Sequence, residues 1–189
     1  MAKEQQVVCS AIGPDRVGLV EQIAGFLAEH GANIEDSNMA AFCGEFAIIL
    51  LVTVPEARLA ELLAQREALA RRTGLTVFLR QAAPETPTAA ALWDLKASCL
   101  DHPGVVQRLT RVAAEAGVNI ESMGTRTESA PWSGAPMFFF EAQLAVPADR
   151  DPEALAARFR ALATDHDLEI SLTKARPPAG TLPERRPPR

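Results

Sequence analysis

The sequence IGPDRVGLV at residues 12–20, followed by GANIE at 31–35, returns later in the chain as LDHPGVV at 100–106 followed by GVNIE at 117–121. The spacing between the two occurrences is constant: Asp15 matches Asp101 and Gly31 matches Gly117, 86 positions apart in both cases. A fixed offset of this kind indicates an internal repeat, so the chain is predicted to hold two copies of one structural unit.

Both copies contain the same succession of hydrophobic patterns. The elements predicted for the first copy are a strand at 6–12, a helix on Val20, Ile23, Ala24 and Leu27, a hairpin at 33–54 that turns at Cys43-Gly44, a helix at 59–73 and a strand at 75–80. The second copy repeats this order between residues 92 and 173. Two βαββαβ units predict an α+β protein in which each unit is ferredoxin-like, an antiparallel four-stranded sheet with both helices on one face.

The offset between the copies grows from 86 to 92 inside the second hairpin, where Phe46 matches Phe138. Six residues have therefore been added near 129–136, a turn-rich stretch that predicts a longer hairpin loop. Proline-rich composition marks both the junction of the copies and the end of the chain. We predict a first domain at 1–82, a linker at 83–91, a second domain at 92–175 and a disordered Pro/Arg-rich tail at 176–189.

Composition excludes several classes of function. The 189 residues carry 19 Lys+Arg against 24 Asp+Glu, a net charge of −5, and such an acidic chain is a poor ligand for a phosphate backbone. The longest apolar run, at 46–52, is far shorter than a bilayer requires, and residues 1–6 show no signal-peptide pattern. The three cysteines lack metal-binding spacing, so we expect reduced core residues in a cytoplasmic protein without membrane contact.

No catalytic or metal-binding motif stands out in the sequence. The three histidines are far apart, and of these only His102 lies in a repeated segment. We therefore expect a protein that is not an enzyme and holds neither a cofactor nor a metal ion.

The repeated aspartates and asparagines each have two interpretations. Asp15 and Asp101 lie just before a helix, where a carboxylate could cap the first turn or could bind an ammonium group beside a helix N-terminus that attracts a carboxylate. Asn33 and Asn119 open the second strand of each copy, where asparagine is either a turn residue or a polar contact to a ligand.

The segments 15–18 with 31–34, and 101–104 with 117–120, resemble the signature of ACT domains, which are small regulatory modules that bind amino acids. Two such modules in a chain of this length resemble the glycine cleavage system transcriptional repressor family. The resemblance implies a ligand between two modules, held by the first strand–helix loop of one and the second-strand asparagine of the other. Carried onto this chain, the implied ligand-binding residues are Asp15, Arg16, Gly18, Asn33, Asp101, His102, Gly104 and Asn119.

The resemblance also implies a function. We expect a non-enzymatic sensor of a small amino acid, glycine or one like serine, that modulates transcription of glycine cleavage metabolism through a DNA-binding partner. The alternative is a regulatory subunit of an enzyme of amino-acid metabolism. Family members associate, so a homodimer is expected. One departure concerns the first loop, which has Val17 where the second has Pro103 and is therefore less rigid.

Overall fold

The computed structural model describes residues 3–83, 90–130 and 133–175. The chain divides into two compact units, residues 1–85 and 86–189. The predicted tail at 176–189 and residues 84–89 of the predicted linker lie outside the described residues.

The first unit is a four-stranded antiparallel sheet of order β2-β3-β1-β4 with three helices. Where one helix was predicted at 59–73, two are present, because the chain turns at Gln65 before the helix resumes. Leu62 of the first of these helices and Leu69 of the second are both fully buried. The elements are β1 (Glu4–Pro14), α1 (Leu19–Glu29), β2 (Asn33–Phe42), β3 (Glu45–Pro55), α2 (Glu56–Ala64), α3 (Arg66–Thr73) and β4 (Thr76–Gln81).

The second unit repeats the sheet in the order β6-β7-β5-β8, which confirms the predicted pair of ferredoxin-like folds. Its first strand begins at Ala90, two residues before the predicted start, because Ala90 and Ala91 pair with Pro147 and Val146. Its elements are β5 (Ala90–Leu100), α4 (Val105–Glu115), β6 (Asn119–Ser129), β7 (Pro136–Pro147), α5 (Pro152–His166) and β8 (Glu169–Lys174).

The core of each unit lies between its sheet and its helices. Along β1, the alternate residues Val7, Cys9 and Ala11 are buried together with Leu27 of α1 and Leu62 of α2. Since strand side chains alternate between faces, the helices cover one face of the sheet and leave the other open. The second unit buries the same pattern, with Leu95 of β5, Leu109 of α4 and Phe159 of α5 in one cluster.

The helical pattern of the sequence was misplaced by one residue at the start of each first helix. Leu19 and Val105 are the buried residues, at 2% and 3% exposure, whereas Val20 is 46% exposed and Val106 only partly buried. Burial of the first helical residue follows from a helix that begins directly at the sheet.

The two hairpins differ in their turns. Cys43 and Gly44 both have positive φ angles, 50° and 83°, so a two-residue turn of the type that suits a twisted hairpin joins β2 to β3. The longer connection from Ser129 to Pro136 contains the predicted insertion. Cys43 is exposed at its turn, so the expectation that all three cysteines are core residues was wrong for this one.

Both second strands carry a β-bulge at the same place. The register shifts between Ile34 and Asp36 in β2, and between Ile120 and Ser122 in β6. Glu35 and Glu121, the last residues of the repeated segments 31–35 and 117–121, therefore occupy the extra position of a bulge. This is a structural reason for their recurrence. No helix in the described ranges is long and apolar enough to cross a bilayer.

Candidate functional site

The loop between the first strand and first helix is attached to the neighbouring hairpin in both units. The backbone N–H of Asp15 donates to the carbonyl of Gly44 at 2.7 Å, and that of Asp101 donates to the carbonyl of Pro136 at 2.8 Å. These bonds use only the main chain, so the carboxylates of the two aspartates stay exposed.

Neither aspartate caps its helix. The N-cap residues are Gly18 and Gly104, and no side chain accepts a hydrogen bond from the first turn of α1 or α4. The interpretation of Asp15 and Asp101 as helix caps is therefore wrong, because both helices begin four residues further along the chain. The N-termini of α1 and α4, like those of α2 and α3, have no side-chain cap, and those of α1 and α4 follow an exposed aspartate by four residues. Each of them carries a partial positive charge.

The two N-cap glycines have a conformation that other residues rarely adopt. Gly18 has φ 92° and Gly104 has φ 93°. This positive φ turns the chain sharply from the loop into the helix and keeps the space in front of the first turn free of a Cβ atom.

An arginine stands beside each loop, although at a different position in each copy. In the first unit Arg16 donates to Gln22 Oε1 at 2.7 Å and to the carbonyl of Thr73 at 3.0 Å. In the second unit the positions equivalent to Arg16 and Gln22 are His102 and Arg108, whose side chains are 3.5 Å apart. Reasoning from the sequence did not identify Arg108 as a residue of this loop, although the repeat offset of 86 makes it equivalent to Gln22.

The asparagines open the second strand of each unit and are exposed. Asn119 Nδ2 donates to Glu121 Oε1 at 2.8 Å, so its amide is oriented by the bulge residue. Asn33 pairs with Thr53, which in turn pairs with Gln6 near the start of β1. Each asparagine therefore lies at the end of the sheet where the first strand begins.

The loops lie at the opposite end of the sheet, after the first strand has finished. Gln6, in the row of Asn33, is eight residues before Pro14, the last residue of β1. At about 3.3 Å per residue, roughly 27 Å of sheet separates Asn33 from the Asp15 loop. The second unit repeats this geometry, since Asn119 pairs with Ala145 and Ala145 with Leu92, eight residues before Leu100. One unit thus does not bring its own loop and asparagine together.

Three depressions among the described residues lie elsewhere, on the open faces of the sheets. A depression of about 490 Å³ in the first unit is lined by Ile12, Ile49 and Phe78 among others. Two depressions in the second unit, of about 340 and 470 Å³, share Lys96 and Glu141. None of these three is lined by a predicted ligand-binding residue.

Two buried thiols, those of Cys9 and Cys99, have raised pKa values. Burial raises the pKa of the Cys9 thiol to about 11, and burial together with the charge of Asp101 raises the pKa of the Cys99 thiol. A raised thiol pKa disfavours the thiolate, which is the reactive form. Among residues 3–83, 90–130 and 133–175, no cluster of His, Cys, Asp or Glu could hold a metal ion.

Comparison with known proteins places this geometry in context. The family model of the ACT domain matches residues 5–80. The chain is 25% identical to the glycine cleavage system transcriptional repressor of Escherichia coli over 174 residues, which cover 91% of each protein. It is 36% identical over 77 residues to a UPF0237 protein of Methanocaldococcus jannaschii, covering 40% of this chain and 86% of that one.

A solved structure is similar over most of the chain. The crystal structure of an unknown protein from Galdieria sulphuraria superimposes with a TM-score of 0.77 at 27% identity, covering 92% of this chain and 99% of that chain.

Proposed function

This chain belongs to the ACT-domain family, and from that premise we propose that it is a non-enzymatic regulatory protein that senses a small free amino acid. The observation that carries the proposal is the pair of uncapped helix N-termini, each next to an exposed aspartate and a glycine with positive φ. A carboxylate is stabilised by the helix N-terminus and an ammonium group by the aspartate, so the arrangement suits a zwitterion.

The proposed site is shared between a unit and the same unit of a second copy of the chain. The residues assigned to it are Asp15, Arg16 and Gly18 with Asn33, and Asp101, His102 and Gly104 with Asn119, each asparagine belonging to a different copy of the unit from its loop. The separation of loop and asparagine within each sheet supports this assignment, because one unit alone presents only half of the polar contacts to a ligand.

The highest affinity that so small a ligand can reach also favours a shared crevice. Glycine has five heavy atoms, and the best small ligands gain about 1.5 kcal/mol per atom, which limits its affinity to the micromolar range. A gain near that limit requires contact on all sides of the ligand. An open loop at the end of a single sheet provides contact on one side only.

We assign the response to transcription, exerted through a DNA-binding partner. The similarity over 91% of both chains to a protein named as a transcriptional repressor supports this assignment. The net charge of −5 disfavours direct contact with DNA. Purification from the native host should retain a DNA-binding protein; retention of a metabolic enzyme instead would favour the alternative, a regulatory subunit.

The ligand is tested by thermal shift with each free amino acid. A ligand at one hundred times its dissociation constant adds about 2.7 kcal/mol to stability, enough for a clear rise in Tm. Asp101→Asn removes the charge proposed to hold the ammonium group and should abolish the rise. Asp94→Asn makes the same change within β5, seven residues before Asp101, and should leave the rise intact. If none of the free amino acids raises the Tm, the proposal is contradicted.

A further inference from the structure

In the first unit, a side chain joins the loop at 15–18 to the turn between α3 and β4, residues 73–75, which we call the α3–β4 corner. Arg16 Nη2 donates to the carbonyl of Thr73 at 3.0 Å. Thr73 is 3% exposed, and its own hydroxyl donates to the carbonyl of Leu69 at 2.8 Å. The acceptor therefore belongs to a buried, bonded segment at the C-terminus of a helix, where a cation is electrostatically favoured.

A second contact brings the same two segments together. A Cβ atom on Gly13, next to the last residue of β1, would lie 3.0 Å from Cδ2 of Leu75 and 3.5 Å from its Cα atom. Because glycine has no Cβ atom, the end of β1 lies directly against the α3–β4 corner. The repeat offset of 86 makes Cys99 the equivalent of Gly13, so the second unit carries a side chain at this point.

The second loop has no such connection. The register of β8 on β5 makes residues 166–168 the equivalent of the α3–β4 corner. Within the described part of this unit, no hydrogen bond joins residues 101–104 to residues 166–168. His102, at the position of Arg16, has its Nδ1 atom 3.2 Å from the carbonyl of Pro103 in its own loop. Pro103 restrains this loop in another way, because its ring fixes φ.

We propose that Arg16 is a positioning residue, which holds the first loop in the conformation that Pro103 favours in the second. The two loops enter their helices with the same geometry, since Gly18 and Gly104 have φ of 92° and 93° and ψ of 0° and −1°. The first loop reaches this geometry with Val17 at the position of the proline. The bond from Arg16 to the α3–β4 corner supplies the restraint that the proline would give.

The bonds of Arg16 define how it serves the site. Both hydrogens of Nη2 are in use, because this atom also donates to Gln22 Oε1 at 2.7 Å. Arg16 therefore acts through the position of Asp15 and not by contact with the ligand. This role rests on the proposed function, whereas the restraint on the loop can be measured without a ligand. A loop that is held in place before binding avoids the cost of ordering it during binding.

Hydrogen exchange in the ligand-free chain tests the restraint. The amides of Asp15 and Asp101 are matched probes, because they donate to equivalent hairpin carbonyls at 2.7 and 2.8 Å. Arg16→Ala should raise the exchange rate of Asp15 about three- to tenfold relative to Cys9, buried in the centre of β1, and leave Asp101 unchanged. His102→Ala is the matched control and should leave the rate of Asp101 unchanged. No rise at Asp15, or an equal rise at Asp101 in the control, would overturn the proposal.

A second substitution separates positioning from contact with the ligand. Val17 is 99% exposed and its position holds proline in the other loop, so adding Val17→Pro to Arg16→Ala should return the exchange rate of Asp15 to that of the unaltered chain. Affinity for the amino acid that raises the Tm should fall about three- to tenfold in Arg16→Ala and recover in the double variant. Recovery of the exchange rate without recovery of affinity would show that Arg16 touches the ligand and would overturn its positioning role. If no amino acid binds, the proposed function fails, while the exchange rates still decide whether Arg16 holds the loop.

Discussion

Replacement of Gly104 by alanine tests whether the backbone alone demands glycine at the start of α4. Its φ of 93° lies in the region that L-residues rarely adopt. The nearest atoms to an added Cβ belong to the Arg108 side chain at 3.6 Å or more, which is ordinary contact. The cost therefore comes from the backbone and not from a clash.

The magnitude follows from two opposing effects. A side chain held at positive φ costs roughly 1–3 kcal/mol, while alanine recovers roughly 0.4–1 kcal/mol by restricting the unfolded chain. We expect Gly104→Ala to lower the free energy of unfolding by about 1–2 kcal/mol. For a unit of this size that corresponds to a fall in Tm of at least about 4 °C.

Urea unfolding followed by tryptophan fluorescence measures this loss, because both tryptophans, Trp93 and Trp132, lie in the second half of the chain. Gly124→Ala is the control: Gly124 lies in β6 without a positive φ, and an added Cβ would meet nothing within 4 Å. It should leave stability unchanged or slightly raised. If Gly104→Ala matched the unaltered chain, or if both substitutions cost the same, the argument from backbone conformation would be refuted.

Two predictions concern the cysteines. At pH 8 a thiol reagent should label exposed Cys43 and leave Cys9 and Cys99 unlabelled until urea is added; labelling of three thiols in the native protein would contradict their burial. The raised pKa of Cys9, about 11 against 9.0, means that the folded chain keeps a proton that the unfolded chain loses, so stability should fall as pH rises from 9 to 11. Urea midpoints should show a loss of about 2–3 kcal/mol over this window, and Cys9→Ala should remove most of it.

Most of the fold could be predicted from the sequence because the same pattern of elements occurs in it twice. Periodicity located the strands, and the offset of 86 between Asp15 and Asp101 located the repeat. Periodicity gave the wrong residue where burial depends on how a helix packs on the sheet. Val20 and Leu19 both fit an apolar helix, and only the position of the helix on the sheet shows that Leu19 is buried. The interruption between α2 and α3 at Gln65 could not be predicted, because no proline or glycine lies near it in the sequence.

The candidate site was only partly accessible to sequence reasoning. The loop residues and asparagines could be nominated from their recurrence, but their distance apart depends on strand register. The exposure of Ile12 and Ile49 was not foreseen, because these residues belong to strands whose neighbouring residues are also apolar. Pairing alone shows which of them share the uncovered side of the sheet.

The placement of a loop at one end of each sheet and an asparagine at the other has a consequence for stoichiometry. When two copies of one unit meet about a symmetry axis, whatever forms at one end must also form at the other, so complete crevices arise in pairs or do not arise. Calorimetric titration would then return an even number of bound molecules for each symmetric assembly.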